Sequence, residues 1–411
     1  MRAEGPTEIL RPATDWELRG MVASLADRRQ PVEIAGNATK RAIGRPVQAA
    51  ATITTASLRG ITLYEPTELV MSARAGTPLA HIEAELGGRG QMLAFEPPDL
   101  TAAIGAAHSG QTIGAVFAAN LSGARRIMSG AARDHLLGVQ GVNGRAELFK
   151  SGGRVMKNVT GYDLSRGLCG SWGTLAALTE VTFKVLPWPE TAATLVFAGL
   201  PDDIAAELMC GAVTTPYEVS GTVHLSAPLA ARLTHPTLRS AGQPLTLIRI
   251  ESFAQSVAYR LQKLKEHLEV YGDHIALDYA DTAEVWSELR RLAVLTDTSS
   301  LLWRISTAPR NGAKVVAAIR RHMPAEAMYD WSGGLVWLEV PSSADAGASD
   351  IRRAVAVNGG HATLIRAEPQ IRASVDVFQP LSPAVERLTR GLKAAFDPAG
   401  ILNPGRMYAG V

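Results

Sequence analysis

Residues 152–187 have the sequence GGRVMKNVTGYDLSRGLCGSWGTLAALTEVTFKVLP, and the fold prediction starts from this stretch. It consists of a glycine-flanked loop that holds Lys157 and Asn158, a turn of small residues over 170–174, and an apolar run with β-branched residues that ends at Pro187. A turn of the pattern Gly-Ser-x-Gly-Thr leaves several backbone N–H groups without a shielding side chain, so it can cradle phosphate oxygens. Ribityl oxygens would fit the same turn, so this chemistry alone is not specific for one ligand.

The order of the motifs in this stretch closely resembles the late FAD-contacting segment of the vanillyl-alcohol-oxidase-like (PCMH-type) flavoproteins. Within that superfamily, Lys-Asn-x-x-Gly-Tyr-Asp (157–163) followed by Gly-Ser-x-Gly-Thr-Leu (170–175) is similar to the bacterial glycolate oxidase and D-lactate dehydrogenase group. The strongest similarity is to the FAD-binding subunits of glycolate oxidases. The resemblance implies an α+β fold in which a two-subdomain PCMH-type FAD-binding domain carries an inserted ferredoxin-like α+β cap domain.

The same resemblance divides the chain into three parts. Residues 1–189 are expected to form the FAD-binding domain, residues 190–370 the cap, and residues 371–411 a segment that returns to the FAD domain. The cap prediction agrees with the sequence pattern, because strand-like and helical segments alternate after Thr191, which indicates antiparallel strands with helices on one face. The predicted strands are 194–198, 245–250, 301–305, 334–340 and 362–365, and the predicted helices are 201–210, 256–268, 312–322 and 349–357.

Composition narrows the classes of function. The formal charge is +2 over 411 residues, which does not favour nucleic acid as a partner because no basic face is required. The local pair Arg125-Arg126 is typical of a solvated surface. The two cysteines, Cys169 and Cys210, are too few for a disulfide framework, a cysteine zinc site or an iron–sulfur site. With no apolar leader and no run of about 18 apolar residues, the sequence predicts a cytoplasmic protein, or one held peripherally at a membrane by partner subunits.

The resemblance also implies which residues contact FAD, which would be bound without a covalent link. These positions are Ala35, Gly36, Asn37, Ala38, Thr39, Lys40, Pro98, Thr112, Ile113, Gly114, Asn120, Ser122, Gly123, Gly130, Asp134, Gly170, Gly173, Thr174 and Val181.

Residues 35–40 occupy the place of the family loop that wraps the FAD pyrophosphate. The loop holds one glycine, Gly36, but Asn37 tolerates a left-handed conformation and Lys40 can neutralise phosphate. The alternative is an ordinary turn between two strands. Ala115 stands where the family pattern Thr-Ile-Gly-Gly has its second glycine.

Oxidation of a 2-hydroxy acid by a flavin requires a base for the hydroxyl proton and a cation for the carboxylate. His361, where a loop enters a strand, is the predicted base. Arg304 is the predicted carboxylate ligand, because strand alternation puts it on the side opposite to Trp303 and Ile305. The alternatives are a turn histidine bonded to backbone and an arginine at the surface or at a domain interface. The nine histidines are scattered, so no metal site is predicted.

The catalytic dehydrogenase subunits of the resembled group carry clustered histidines that this chain lacks. The sequence therefore predicts the FAD-binding subunit of a complex that oxidises glycolate or another D-2-hydroxy acid to the oxo acid. Its expected partners are a catalytic FAD-linked glycolate oxidase subunit and an iron–sulfur subunit, and this chain either oxidises the substrate or passes electrons. Two alternatives stay open: a flavin-free scaffold subunit, favoured by the single glycine of residues 35–40 and by Ala115, and a self-sufficient FAD oxidoreductase for another hydroxy acid.

Overall fold

A computed structural model describes residues 8–106, 110–154 and 161–411. The first lobe, residues 8–187, contains ten strands and six helices within the described ranges. Its strands are β1 (Glu8–Leu10), β2 (Val32–Ala35), β3 (Ala51–Thr54), β4 (Ile61–Glu65), β5 (Val70–Arg74), β6 (Gln91–Met92), β7 (Leu136–Asn143), β8 (Leu148–Gly152), β9 (Ala176–Lys184) and β10 (Leu186–Pro187). Its helices are α1 (Asp15–Asp27), α2 (Leu79–Gly87), α3 (Ile113–Ala119), α4 (Arg126–Ser129), α5 (Ala132–His135) and α6 (Leu164–Leu168).

The strands of the first lobe form two main sheets. A small parallel sheet has the order β1-β3-β2, and an antiparallel sheet has the order β4-β5-β9-β7-β8, while β6 pairs with β10. In β9, Val181 and Phe183 are buried, whereas Glu180, Thr182 and Lys184 are partly exposed, as alternation along a strand requires. Phe183 packs on Phe117 of α3 with ring centroids 5.5 Å apart, so this sheet supports the helix on which the site below is built.

The second lobe, residues 191–366, contains one large sheet. Its strands are β11 (Thr191–Ala198), β12 (Val219–Leu225), β13 (Leu245–Ser252), β14 (His274–Leu277), β15 (Leu301–Ser306), β16 (Glu326–Asp330), β17 (Leu335–Val340) and β18 (His361–Arg366). Its helices are α7 (Asp202–Thr214), α8 (Ala227–Ala230), α9 (Pro236–Arg239), α10 (Ala254–Leu268), α11 (Tyr279–Arg290), α12 (Gly312–Arg320) and α13 (Ala348–Asn358).

All eight strands are antiparallel, in the order β14-β11-β13-β12-β16-β17-β15-β18. The order resolves into two β-α-β-β-α-β units of ferredoxin-like topology. The first unit runs β11-α7-β12-β13-α10-β14 and the second runs β15-α12-β16-β17-α13-β18. They join edge to edge where Val223 of β12 pairs with Asp330 of β16, so the lobe holds two such units where the sequence pattern had predicted one layer.

The two faces of this sheet have different neighbours. Trp303 and Ile305 of β15 belong to the core beneath the helices of the lobe, whereas Leu302 belongs to a second core shared with Ala119 and Leu121 of the first lobe. Because side chains alternate along a strand, Arg304 points to the same face as Leu302, toward the first lobe.

A buried ion network also joins the lobes. Glu96 of the first lobe lies 3.0 Å from Arg249 and 3.1 Å from Arg125, and Arg125 lies 2.7 Å from Glu251 of the second lobe. Each of these side chains is less than 10% exposed. The prediction that Arg125 lies on a solvated surface is therefore wrong, because its guanidinium is neutralised inside the lobe interface.

The C-terminal segment, with α14 (Pro369–Ser374) and α15 (Pro383–Phe396), returns to the first lobe. The backbone N–H of Val32 donates to Ile401 at 2.8 Å, and Val32 forms a parallel bridge with Leu402. Lys393 is buried and donates to the carbonyls of Thr174 and Leu402 and to the carboxylate of Asp397, at 2.7–2.8 Å. Across the three described ranges, none of the helices has the length and apolar character that spanning a bilayer needs.

Candidate functional site

A cleft in the first lobe lies between four parts of the chain: the loop after β2, helix α3, the turn at Trp172-Gly173 and the C-terminal segment. It encloses about 670 Å³ of empty space, its open mouth included, which lies within the usual range for small-molecule sites. The lining is formed by Glu33, Ile34, Ala35, Gly36, Ala38, Thr39, Lys40, Arg41, Thr55, Ala75, Gly114, Ala115, Ala118, Ala119, Trp172, Gly173, Ala176, Leu178 and Arg406.

The loop after β2 packs directly on the start of α3. A Cβ at Gly36 would lie 2.3 Å from Thr112 Oγ1, so only glycine allows this approach of backbone to side chain. Thr112 is completely buried, and its hydroxyl has no hydrogen-bond partner within the described residues. Ala38 takes a left-handed conformation with φ +56°. The loop and the helix start therefore pack together as one wall of the cleft, with the unpartnered hydroxyl of Thr112 buried behind the lining.

Helix α3 lies equally close to the strand behind it. The N–H of Gly114 donates to the carbonyl of Ala75 at 2.9 Å, and a Cβ at Gly114 would lie 2.6 Å from the Ala75 Cβ. Ala115 lines the cleft. Ala115, which replaces the second glycine of the family pattern, therefore places its methyl group at the wall of the cleft. Gly114, the glycine that close packing on Ala75 requires, is present.

Two buried cations line the cleft. Lys40 Nζ donates to Gln111 Oε1 at 2.6 Å, and burial lowers the pKa of Lys40 to about 8 although Asp99 acts to raise it. Arg406 donates from Nη2 to the Lys40 carbonyl at 2.8 Å, while its Nε has no partner within the described residues. Burial lowers the pKa of Arg406 to about 10, so both groups carry positive charge at neutral pH in a poorly hydrated wall. An anion is the ligand that such a wall favours.

The C-terminal segment fixes the remaining wall. Asn403 is completely buried, accepts the N–H of Ile34 at 2.8 Å and donates to the carbonyl of Trp172 at 2.7 Å. Gly173 has φ +73°, and a Cβ there would lie 2.7 Å from Asn403 Nδ2. One side chain from the end of the chain thus holds both the strand before the loop and the turn opposite to it.

A second group of polar residues lies where α3 leads away from the cleft. Ala119 lines the cleft, and seven residues later Arg126 places its guanidinium carbon 4.1 Å from the ring centroid of Trp331 in the second lobe. Arg304 lies 5.2 Å from the same centroid, and its Nε is buried without a partner within the described residues. Burial lowers the pKa of Arg304 to about 10, and the charge of Arg126 adds to this effect. Two guanidinium groups from different lobes therefore lie against one indole.

His361 belongs to this second group. It is the first residue of β18 and pairs with Ser306 at the end of β15. The residue is exposed at the end of its strand, but partial desolvation of the ring and, after it, the charges of Arg304 and Arg126 lower the pKa of His361 below its usual value. The shift favours the neutral imidazole, which is the form that can accept a proton.

Comparison with known proteins assigns the family. Residues 6–152 match the family model described as an FAD binding domain. The chain is 35% identical to the glycolate oxidase subunit GlcE of Escherichia coli (strain K12) over 384 residues, which is 93% of each chain. The chain belongs to the GlcE family. The predicted family and the FAD cofactor are thereby confirmed.

More distant relatives extend the comparison of this GlcE-family chain. The glycolate oxidase subunit GlcD of Bacillus subtilis (strain 168) is 26% identical, over 98% of this chain and 89% of that protein. Among solved structures, p-cresol methylhydroxylase with bound substrate aligns with a TM-score of 0.71 at 13% identity, covering 98% of this chain and 88% of that one. Alkyldihydroxyacetonephosphate synthase aligns with a TM-score of 0.68 at 15% sequence identity, covering 96% of this chain and 75% of that one. These structures confirm the predicted PCMH-type fold.

The cleft of this GlcE-family chain suits FAD on its own chemistry. A dinucleotide diphosphate needs backbone that can approach closely and cations that offer unused N–H groups, and the cleft supplies Gly36, Lys40 and Arg406. Arg406 was not identified from the sequence, although it directly follows the Asn-Pro-Gly motif at 403–405.

The structure places the predicted FAD contacts in two sets. Those that line the cleft are Ala35, Gly36, Ala38, Thr39, Lys40, Gly114 and Gly173. The others lie outside its lining, and their roles toward FAD stay predictions: Asn37, Pro98, Thr112, Ile113, Asn120, Ser122, Gly123, Gly130, Asp134, Gly170, Thr174 and Val181.

The second set is engaged mainly with the protein itself. Asn120 accepts the N–H of Arg133 at 3.2 Å, Ser122 Oγ accepts that of Ala132 at 2.9 Å, and Asp134 accepts that of Ala131 at 2.9 Å. Further contacts in this set include Asn37 Nδ2 to Gly110 O, Gln111 Nε2 to Pro98 O, Ile113 N to Thr77 O, Gly123 N to Phe95 O, Gly130 N to Arg126 O, Gly170 N to Phe117 O and Thr174 Oγ1 to Ser171 O. Val181 is buried between β5 and β7.

The last predicted residues are two loop residues and the two candidate catalytic residues. Lys157 and Asn158 lie outside the described residues. His361 and Arg304, chosen separately from the sequence, lie on neighbouring strands, since β15 pairs with β18. Arg126 and Trp331 were missed, because a basic pair and a lone tryptophan carry no periodic or motif signal in one sequence.

Proposed function

We propose that this chain binds FAD in the first-lobe cleft and oxidises glycolate, or a closely related 2-hydroxy acid, as one subunit of a complex. The observation that carries the proposal is that the same polypeptide forms the cleft wall at Ala119 and then delivers Arg126 to the group that holds Arg304 and His361. A cofactor cleft and a cationic site beside a neutral histidine are therefore neighbours along the chain.

In this proposal the cleft holds FAD through the protein groups described above. The diphosphate is neutralised by Lys40 and Arg406, with Gly36 allowing close approach of the loop. Asn403 and Lys393 keep the walls in place, because they tie the C-terminal segment to Ile34, Trp172 and Thr174.

His361 and Arg304 have separate tasks toward the substrate. Arg304 binds the carboxylate of the hydroxy acid through N–H groups that no described residue uses. His361 accepts the proton of the substrate hydroxyl, for which a neutral imidazole is required. FAD, when bound, would supply the acceptor for the Cα hydrogen together with its two electrons, as a hydride, while the alcohol becomes the oxo acid. The hydroxyl proton, the Cα hydrogen and the two electrons are thus all accounted for.

The partners follow from the relatives and from the composition. GlcE and GlcD are both named as subunits of glycolate oxidase, so we propose a partner subunit of the GlcD type for this chain. The cysteines Cys169 and Cys210 are buried at separate places and the chain holds no others, so a relay through an iron–sulfur cluster is proposed to come from a further subunit.

The test uses the assembled complex with variants in this chain alone. Replacement of His361 by Gln is expected to lower the rate of glycolate oxidation by a factor on the order of 10² or more, as for loss of a general base. The matched control is His267→Gln, at an exposed position of α10, which should leave the rate unchanged. Wild-type turnover by the His361→Gln complex would place the chemistry in the partner and reduce this chain to electron transfer.

A further inference from the structure

Two adjacent arginines at the lobe interface have opposite environments. Arg125 is paired with Glu96 and Glu251 at 3.1 and 2.7 Å. Arg126 makes no side-chain hydrogen bond or ion pair with any residue of the ranges 8–106, 110–154 and 161–411, although its guanidinium is partly buried against Trp331. The chain thus gives Arg125 two carboxylates at ion-pair distance, whereas Arg126 has none that close and only the more distant charges of Asp134 and Asp330 act on it.

Arg304 lies against the same indole from the side of the second lobe, and it too lacks an ion-pair partner among the described residues. Its guanidinium carbon lies 5.2 Å from the Trp331 centroid and 5.8 Å from that of Trp337, and no described carboxylate lies within ion-pair distance of it. Because the Arg126 carbon lies 4.1 Å from the Trp331 centroid, the two guanidinium carbons are at most 9.3 Å apart. Two like charges at this spacing in a partly buried site repel each other. Asp330 attracts both only when it is ionised, and burial opposes its ionisation, so the pair favours a ligand anion between them.

The backbone under the indole is strained. Trp331 and Ser332 both have left-handed conformations, with φ +53° and +58°, a geometry that costs free energy for residues other than glycine. Three contacts hold it: Trp331 Nε1 donates to Gly123 O at 2.9 Å, Trp331 N to Asp330 Oδ1 at 2.6 Å, and Ser332 N to Thr222 Oγ1 at 2.9 Å. The structure therefore maintains the position of this ring at the junction of the lobes against a conformational cost.

We propose that Arg126 and Arg304 together form a two-lobe clamp for a small carboxylate on the surface of Trp331. The proposal rests on the proposed function, since the carboxylate is that of the 2-hydroxy acid, and it adds Arg126 and Trp331 as substrate-binding residues. A planar guanidinium offers two parallel N–H groups to a carboxylate and stacks on an aromatic ring at the same time. Arg126 supplies the charge from the FAD-binding side and Arg304 from the other, so the ligand bridges the lobes next to His361.

The test is a calorimetric titration of the purified chain, carrying its FAD, with oxalate, a carboxylate that has no C–H to oxidise. We expect Arg126→Gln and Arg304→Gln each to raise the Kd for oxalate at least tenfold. The double variant should lose less than the product of the two single losses, because both side chains hold one ligand. The matched controls are Arg166→Gln and Arg353→Gln, which remove an exposed arginine paired with a nearby aspartate in the first and second lobes; their Kd should stay within twofold of wild type.

Several results would overturn the clamp. These are a wild-type chain that does not bind oxalate, a Kd that either single Gln variant leaves unchanged, and sulfate binding as tight as oxalate binding, which would indicate an unspecific anion site. Arg126→Lys and Arg304→Lys keep the charge and serve as controls for misfolding. If their melting temperatures equal that of the wild type, they should still bind oxalate more weakly, because lysine lacks the two parallel N–H groups of a guanidinium. The calorimeter measures the heat of oxalate binding, which does not depend on reduction of the flavin. Arginine-dependent oxalate binding in a chain that glycolate cannot reduce would therefore contradict the proposed function alone.

Discussion

Asp330 is a buried carboxylate whose ionisation the lobe interface opposes. Burial raises its pKa from 3.8 to about 7, although the N–H of Trp331 stabilises the charged form. Between these two pH values the native protein holds a proton that the unfolded chain has lost. The free energy of unfolding therefore falls as the pH rises through this window, in total by roughly 4 kcal/mol at 1.36 kcal/mol per pKa unit.

Asp330→Asn is expected to remove this pH dependence. The amide keeps an acceptor for Trp331 N but never ionises, so the variant should be more stable than wild type at pH 8 and close to it at pH 4. Thermal melting at both pH values measures the difference. A wild-type protein whose stability does not decline between pH 4 and pH 7 would contradict the burial of a carboxyl group at this position.

The pKa of His361 depends on two neighbouring charges. Partial desolvation and the guanidinium groups of Arg304 and Arg126 lower this pKa below its usual value, which favours the neutral base. Removing one of the cations should raise the pKa toward its usual value. We expect Arg304→Gln to move the acid limb of the pH profile of flavin reduction by glycolate to higher pH. If the acid limb of the pH profile does not move in Arg304→Gln while the rate of flavin reduction falls, a group other than His361 causes that limb.

At the scale of elements, the FAD cleft depends on close approach between the loop after β2 and the start of α3. Gly36→Ala should force Thr112 away, because the new methyl would lie 2.3 Å from Thr112 Oγ1, at a cost of about 1–3 kcal/mol for overpacking. We expect a lower melting temperature and less FAD retained after gel filtration. The double variant Gly36→Ala/Thr112→Ala should recover part of both.

The matched control for this prediction is Gly20→Ala in the exposed part of α1, where a Cβ meets nothing within 4 Å. That change should be neutral or slightly stabilising, since alanine favours a helix. Full FAD retention by Gly36→Ala would show that the loop can move away from α3 without loss of the site.

The elements differ in how far they could be predicted from the sequence. The strand at 301–305 and the helix at 256–268 have clear periodicity, and the structure has them at Leu301–Ser306 and Ala254–Leu268. β12, β14 and β16 were not predicted: Gly221 interrupts the first, and the third ends in acidic Asp330 at the junction of the two units. β14 is a short edge strand with two exposed residues, and such a segment shows little alternation.

The candidate site divides in the same way. Gly36 and Lys40 could be found because the FAD-binding loop has a recognisable local pattern. Arg126 and Arg406 could not, because what distinguishes them appears only in three dimensions: within the described residues, the Arg126 guanidinium has no hydrogen-bond or ion-pair partner and the buried Nε of Arg406 has none. Arg125 and Arg126 look identical in the sequence, and only the packed structure distinguishes them. Glu96 of the first lobe and Glu251 of the second pair with Arg125, whereas Arg126 lies against the indole of Trp331.

At the scale of the whole molecule, the ion network around Glu96 holds the lobes together. Burial alone would raise the pKa of Glu96, but Arg125 and Arg249 outweigh burial and hold this pKa at about 2. The native state therefore binds fewer protons than the unfolded chain between pH 4.5 and pH 2, and the stability that the network supplies is lost as the pH falls through this window.

Glu96→Gln should be strongly destabilising, because it leaves Arg249 and Arg125 with Glu251 as their shared counter-charge. A loss of about 3–5 kcal/mol is expected for one partner of a buried network, measured by chemical denaturation. The matched control is Glu386→Gln on the exposed face of α15, paired with Arg390 at 2.8 Å, where the loss should stay below about 1 kcal/mol. Similar losses of unfolding free energy in Glu96→Gln and Glu386→Gln would mean that water reaches the ion network between the lobes.

In the proposed function, this single chain holds both the flavin and the site that delivers electrons to it. To test this, the chain is purified alone, its visible absorption is recorded and glycolate is added in the absence of oxygen. We expect a flavin spectrum that bleaches with glycolate and does so far more slowly in His361→Gln. Flavin that stays oxidised, in a chain that retains it, would contradict the proposed function and leave the oxidation of glycolate to the partner subunit.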